Sequence, residues 1–139
     1  MFRVAQSLDD YVKAVAVRAI VFVGEQATTY AIERDEHEHA CVHILGEIDG
    51  EPVAAGRIRA VDGYAKLERL AVRKEWRGRG HGDGLIKFMI QVARDLGFTR
   101  FKLHAQIAAK GFYARHGFAV VGDPFIEADI EHCLMVKEA

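Results

Sequence analysis

A chain of 139 residues, half of them apolar or aromatic and 28% charged, has the size of one compact domain and the material for a real core. Its formal net charge of −1 lacks the electrostatic footprint of a general nucleic-acid binder or a polybasic membrane protein, so any anion must be held locally. No window approaches the ~20 consecutive apolar residues of a membrane span and Met1–Ser7 is no signal stretch, so a cytoplasmic protein with no membrane or nucleic-acid partner is expected.

Ser7, followed three residues later by Asp10, predicts a helix N-cap, and Leu8, Tyr11, Val12, Val15, Ala19 and Phe22 then follow helical spacing. The end of this helix is open, because Val21–Val23 also suits a strand and Gly24 breaks the pattern. Thr28 to His39 is polar and reads as a loop or a short irregular helix. Strands over Cys41–Glu47 and Val53–Val61 are joined by Asp49–Gly50, a tight hairpin signal, and a second turn at Asp62–Gly63 leads into a strand over Lys66–Val72. The stripe Leu85, Ile86, Met89, Val92, Ala93 and Leu96 marks the clearest helix, with Gly97 placed to end it. A strand over Phe101–Ala105, a short helix over Ala108–His116, and strands over Phe118–Val121 and Cys133–Lys137 complete the chain. Strand, glycine-rich turn, helix and strand make a βαβ crossover, whereas the preceding hairpin is antiparallel; the fold class is therefore α+β with a mixed sheet, in one domain over residues 1–139. Cys41 and Cys133 form no CxxC spacing and are expected to be reduced and buried.

Between the third strand and the clear helix lies Arg77–Gly78–Arg79–Gly80–His81–Gly82. A helix N-terminus carries unpaired N–H groups and roughly half a positive charge, and glycines let phosphate oxygens approach the backbone. Neither GxxxxGK[ST] nor the GxGxxG dinucleotide spacing is present, which counts against nucleotide hydrolysis and NAD binding. A tight structural joint is the alternative to an anion site.

Arg77, Gly80 and Gly82 fill the Arg/Gln-x-x-Gly-x-Gly/Ala signature of the GNAT superfamily of N-acetyltransferases. The resemblance extends to Leu67–Val72 as the strand before the signature and to Phe112–Phe118 as an FYxxxGF segment. Val21–Gln26, Leu103–Gln106 and Ile130–Met135 are similar to the YjcF/ElaA branch, with glyphosate N-acetyltransferase as a relative. The match covers nearly the whole chain in order. It implies a mostly antiparallel sheet flanked by helices, acetyl-CoA as acyl donor, no metal, and direct transfer to a small-molecule amine in a ternary complex. Many such proteins form homodimers, but no surface for one is readable.

The resemblance also implies roles. Leu70, Ala71 and Val72, the turn Arg77, Gly78, Arg79, Gly80, His81 and Gly82, and Tyr113 would hold the cofactor, in a cleft where Leu67–Val72 splays from Phe101–Gln106. A backbone N–H near Leu70 would face the acetyl oxygen, and the Tyr113 phenol would serve the departing thiolate. His132 and Glu68 compete as general base. Strand alternation puts Glu68 and Arg69 on opposite faces. Arg69, Gln106 and Gln26 would contact the acceptor. Two positions that are arginine in the glyphosate-acetylating relative are Val23 and Gln106 here, which counts against a strongly anionic acceptor; Arg18 is either a substitute cation or a solvated surface residue. The cluster Asp35–His39 with His43 matches no familiar zinc spacing, although Glu33, Asp35 and His43 resemble a YjcF-like pattern on the acceptor side. A catalytically silent acyl-CoA-binding module and a protein-lysine acetyltransferase are the alternative functions.

Overall fold

The computed structural model of the protein describes residues 1–138. Seven strands form one sheet: β1 (Phe2–Val4), β2 (Val42–Ile48), β3 (Glu51–Val61), β4 (Tyr64–Val72), β5 (Arg100–Gln106), β6 (Ala119–Glu127) and β7 (Ile130–Glu138), in spatial order β1-β2-β3-β4-β5-β7-β6. Every pairing is antiparallel except β4 with β5, the two strands joined by the crossover helix. Asp49–Gly50 and Asp62–Gly63 both place two consecutive residues at positive φ, the tight two-residue hairpin that their sequences predict. A third such turn, Ala128–Asp129 between β6 and β7, has φ of 50° and 61° without any glycine. Lacking the glycine signal, this hairpin is not legible in the sequence, and β6 runs six residues beyond the expected end at Val121.

Helix α1 (Leu8–Arg18) starts as expected, with the Asp10 N–H donating to Ser7 Oγ at 3.0 Å. Its buried stripe is Ala14, Val17 and Arg18, continued by Val21, while Leu8 and Val12 are 78% and 54% exposed; the expected apolar face is therefore rotated from the true one. The larger aliphatic side chains mislead here because the helix lies so close to the sheet that Ala14 fits best. The open question about Val21–Val23 resolves as neither strand nor α-helix: Ala19–Glu25 continues α1 as a wide π-helical segment. After it come α2 (Tyr30–Glu33) and a 3₁₀ turn at Glu38–Ala40, within the region read as loop or irregular helix.

The crossover helix α3 (His81–Asp95) ends as predicted: Gly97 has φ 99°, its N–H donates to the Arg94 carbonyl, and the Phe98 N–H donates to that of Ala93. Neighbouring residues on β2 and β3 face opposite ways. Ile44 and Ala54 join the cluster around Leu85, Ile86 and Met89 of α3, whereas Leu45 and Ala55 pack with Ala14, Val17 and Val21. Gly56 admits α3 closely, since a Cβ there would lie 2.6 Å from Met89 Sδ. Cys133 is buried and Cys41 only half-buried, and both are free thiols.

One irregularity shapes the rest. Ala55 pairs with Ala71 and Arg57 with Glu68, so β4 carries one more residue than β3 across this step. The surplus sits at Arg69, whose φ of 56° lies in the left-handed region. Such a bulge bends its strand and increases the local twist. Accordingly β4 pairs with β5 only at Ala65 and Lys66, and the two strands then part.

Candidate active site

The parted strands open a cavity of about 710 Å³, with Leu67 to Val72 on one wall and Leu103, His104 and Gln106 on another. On this side β4 has no partner strand beyond Lys66, so backbone N–H and C=O groups of its C-terminal half face the cleft. Leu70, Ala71 and Val72, expected on the cofactor side, line it.

From β4 the chain passes through a 3₁₀ turn at Lys74–Trp76 and enters α3 through the glycine-rich segment. Gly78 and Gly80 have φ of 78° and 83°, and a Cβ on either would meet no heavy atom within 4 Å. The space beside this backbone is therefore open. Gly80 is the N-cap and supplies no capping side chain, which leaves the first-turn N–H groups of α3 outward and unpaired. The cradle fits an anionic diphosphate by its backbone. The expected cofactor residues here do not all act by charge: Arg77 donates through Nε to the Val72 carbonyl and through Nη2 to Glu25, both at 2.8 Å, so its guanidinium braces the turn. Arg79 lies over the Trp76 ring, and His81 meets that ring edge-on. Tyr113, on α4 (Lys110–Ala114), lines the cavity, and burial pushes its phenol up to about 12.

His132 of β7, expected on the acceptor side, lines the cavity and is only 7% exposed. Its Nδ1 lies 2.7 Å from the Ile130 carbonyl, which can only accept, so Nδ1 carries the proton and, in the neutral form of the ring, Nε2 is a bare lone pair. Phe125 stacks on its ring. Gln26 and Gln106, 80 residues apart in sequence, are joined by a 3.0 Å hydrogen bond across the cavity. The π-helical segment delivers Gln26 to this point.

Glu68 is held differently. Burial works against its charge, but Lys66 at 2.8 Å, Arg59 and Arg57 outweigh that and bring its pKa down to about 2. A carboxylate so encircled has little basicity left at neutral pH. The opposite-face expectation for Glu68 and Arg69 fails, because the bulge at Arg69 breaks the two-residue alternation and both residues line the same cavity. Arg69 donates to the Ile32 and Glu33 carbonyls at 3.0 and 3.2 Å and to Asp35 at 3.3 Å.

Beneath this wall lies a buried ionic network. Arg18 is fully buried: its guanidinium grips Glu33 through Nε at 2.9 Å and Glu38 through Nη1 and Nη2 at 2.8 Å, so it is neither a solvated residue nor a free substrate cation. Arg57, also fully buried, reaches Glu38 at 2.9 Å and Asp35 at 2.8 Å. Tyr11 donates to Glu38 at 2.6 Å, and His43 Nε2 sits 2.8 Å from the Glu38 carbonyl. For Glu38, burial opposes ionisation, yet Arg18, Tyr11 and Arg57 bring its pKa to about 2. Among the described residues no group of three His, Cys, Asp or Glu side chains is arranged to hold a metal, and the acids of the Asp35–His39 stretch that point inward bond to arginines. The sequence signal for this network is slight: Arg57 interrupts the apolar run Val53 to Ile58, and Arg18 follows Ala14 by one helical turn.

Residues 8–139 match the family model for the acetyltransferase (GNAT) domain. The uncharacterized N-acetyltransferase YjcF of Bacillus subtilis is 41% identical over 137 residues, covering 97% of each chain. The crystal structure of Escherichia coli ElaA superposes with a TM-score of 0.88 at 26% identity, over 99% of both chains. An N-acetyltransferase PaiA of Thermoplasma acidophilum, solved in complex with coenzyme A, shares the fold with a TM-score of 0.75 at 14% identity, over 100% of this chain and 99% of that one. No described helix is long and apolar enough to cross a membrane.

Proposed function

The chain belongs to the GNAT acetyltransferase family, and from that premise we propose that it is a cytoplasmic enzyme that moves the acetyl group of acetyl-CoA to the amine of a small molecule, by direct transfer in a ternary complex. The observation that carries this reading is the convergence, on one cleft, of an uncapped glycine-rich helix start, an unpaired strand edge, a half-buried tyrosine and a histidine with a bare Nε2.

The first-turn N–H groups of α3 and the open backbone at Gly78 and Gly80 would hold the diphosphate of acetyl-CoA, with the β4 edge from Leu70 to Val72 beside its acyl arm. Bound there, acetyl-CoA supplies an activated thioester. A β4 N–H near Leu70 donates to the oxygen on which negative charge develops. His132 Nε2 takes a proton from the incoming amine, while its Nδ1–H stays on the Ile130 carbonyl and fixes the ring. Tyr113, protonated up to about pH 12, is a standing donor for the departing sulfur. Because a thiol is acidic near ~8.5, a tyrosine of this pKa stabilises the thiolate by hydrogen bonding more than by complete proton transfer. Glu68 is the weaker candidate for the base, since its oxygens already accept from three cations; it holds the acceptor wall in shape. Arg69, Gln26 and Gln106 face the acceptor.

The test is a steady-state assay of thiol release from acetyl-CoA over a panel of small amines, with a lysine-bearing peptide beside them. Turnover with small amines, and a drop in kcat of about 10²–10⁴ in His132→Ala with acetyl-CoA affinity retained, is the expected result. Tight acetyl-CoA binding without any turnover would instead make the chain a silent acyl-CoA-binding module, and turnover of the peptide alone would make it a protein-lysine acetyltransferase.

A further inference from the structure

Six carboxylates line the cavity, and their partners differ. Glu25 is paired with Arg77, Glu33 with Arg18 and Arg69, Asp35 with Arg57 and Arg69, and Glu68 with Arg57, Arg59 and Lys66. Glu36 lies at the rim with its side chain 81% exposed. Glu127, at the end of β6, has no lysine or arginine in ion-pair contact among the described residues. Its neighbours are two imidazoles: Oε1 lies 2.9 Å from His104 Nδ1, and Oε2 lies 3.8 Å from His132 Nε2. The hydrogen bond from His104 holds the Glu127 carboxyl below the usual carboxylate range, so it is anionic at neutral pH and His104 Nδ1 is the donor. Phe125 meets His104 edge-on and stacks on His132, closing the apolar side of the pair.

The 3.8 Å gap between Glu127 Oε2 and His132 Nε2 is too long for a direct hydrogen bond. A nitrogen placed opposite the gap can lie about 2.8–2.9 Å from both atoms at once. Both are acceptors, one anionic and one neutral. An ammonium group supplies two N–H donors and a positive charge, and a neutral hydroxyl or a carboxylate supplies neither. Resting on the acetyltransferase reading above, we infer that Glu127 is the recognition residue for the acceptor, that the acceptor arrives as a protonated alkylamine, and that His104 holds Glu127 in place. The ammonium donates one N–H to Glu127 Oε2 and a second to His132 Nε2. That second proton moves to Nε2, which leaves a neutral amine with a free lone pair and an imidazolium whose new charge faces Glu127. Glu127 keeps its charge throughout and takes no proton. In the opposite arrangement, a base surrounded only by cations would repel an ammonium ion; this is the environment of Glu68.

The inference separates two acceptor classes. A simple alkylamine is an ammonium ion at neutral pH and needs Glu127, whereas an arylamine is uncharged and does not. In Glu127→Gln, kcat/KM for the alkylamine should fall at least tenfold further than for the arylamine, and Glu127→Asp should recover part of that selectivity. Equal losses for both acceptors, or no loss, would overturn the inference. Binding is read independently of turnover by titrating the alkylamine into the protein with coenzyme A present and following the imidazole Cε1–H resonances of His104 and His132. Shifts in both rings in the wild type that vanish in Glu127→Gln are expected, and absence of the shifts in the wild type would also overturn it. If the shifts occur and no acetylation does, the transferase reading fails while the ammonium site stands. Acetyl-CoA affinity in each variant serves as the check on folding.

Discussion

The two walls of the cleft are made of different material. The proposed donor wall is backbone from a single stretch, β4 through the first turn of α3, with amide N–H groups that glycine leaves uncovered. The proposed acceptor wall is side chain, drawn from the π-helical segment, α2 and its following loop, β4, β5 and the β6–β7 hairpin, and held by buried ion pairs. A backbone site can move between proteins as a short motif, because only the conformation of a few consecutive residues is needed. A side-chain site cannot, because each member depends on a different element arriving in register.

The sharpest way to break that contrast is to strike the acceptor wall from below. Arg18→Met removes one buried cation from Glu33 and from Glu38, which keep only Arg69 and Arg57 respectively as close cationic partners, and a loss of about 3–5 kcal/mol in unfolding free energy is expected by urea titration. A loss below about 1 kcal/mol would mean that the network is not a structural unit. The donor wall should respond in the opposite manner. Gly82→Asp puts a carboxylate in the first turn of α3, which favours the helix but repels a diphosphate. Acetyl-CoA should bind at least 100-fold more weakly by calorimetry, with the thermal midpoint held or raised; unchanged affinity would displace the proposed cradle.

Acid should also distinguish the walls. Glu38 and Glu68 are ordinary carboxylates near 4.5 when unfolded and titrate at about 2 in the fold. The unfolded chain therefore binds protons first as the pH falls, so their contribution is complete above about pH 4.5 and drains away between there and about pH 2. A urea midpoint that falls steeply below about pH 5 is expected, after a shallower decline through about pH 6.5 where the unfolded His43 takes up a proton that burial keeps off it in the fold, and a midpoint that rises on acidification would contradict the ion-pair assignment. The smallest effect concerns the hairpin that carries Glu127 and His132. Ala128 occupies the left-handed region at φ 50°, and Ala128→Gly should raise stability by about 0.5–1 kcal/mol.

Legibility in the sequence follows the same division. The two Asp-Gly hairpins, the Ser7 cap and the Gly97 stop can be read because each depends on local chain chemistry. So can the glycine-rich turn and, through the family likeness, the places of Tyr113 and His132 on the cavity wall. The Ala128–Asp129 turn, the π-helical course of Ala19–Glu25 and the buried faces of Arg18 and Arg57 are imposed by tertiary packing, and local propensity points elsewhere for each. Glu127 stays hidden because its meaning lies entirely in two histidines that β5 and β7 bring to it.

The surplus residue at Arg69 makes the protein more sensitive to chain length than to chemistry at that point. Asparagine or glycine there would relax the left-handed backbone and keep the extra residue, at the cost of the hydrogen bonds that Arg69 makes to Ile32, Glu33 and Asp35. Deleting the residue would let β4 resume its register and pair with β5 along its length, closing the cleft with no lining group lost but Arg69 itself. Among close homologues, the spacing from Glu68 to Ala71 should therefore stay fixed even where the side chain at position 69 changes.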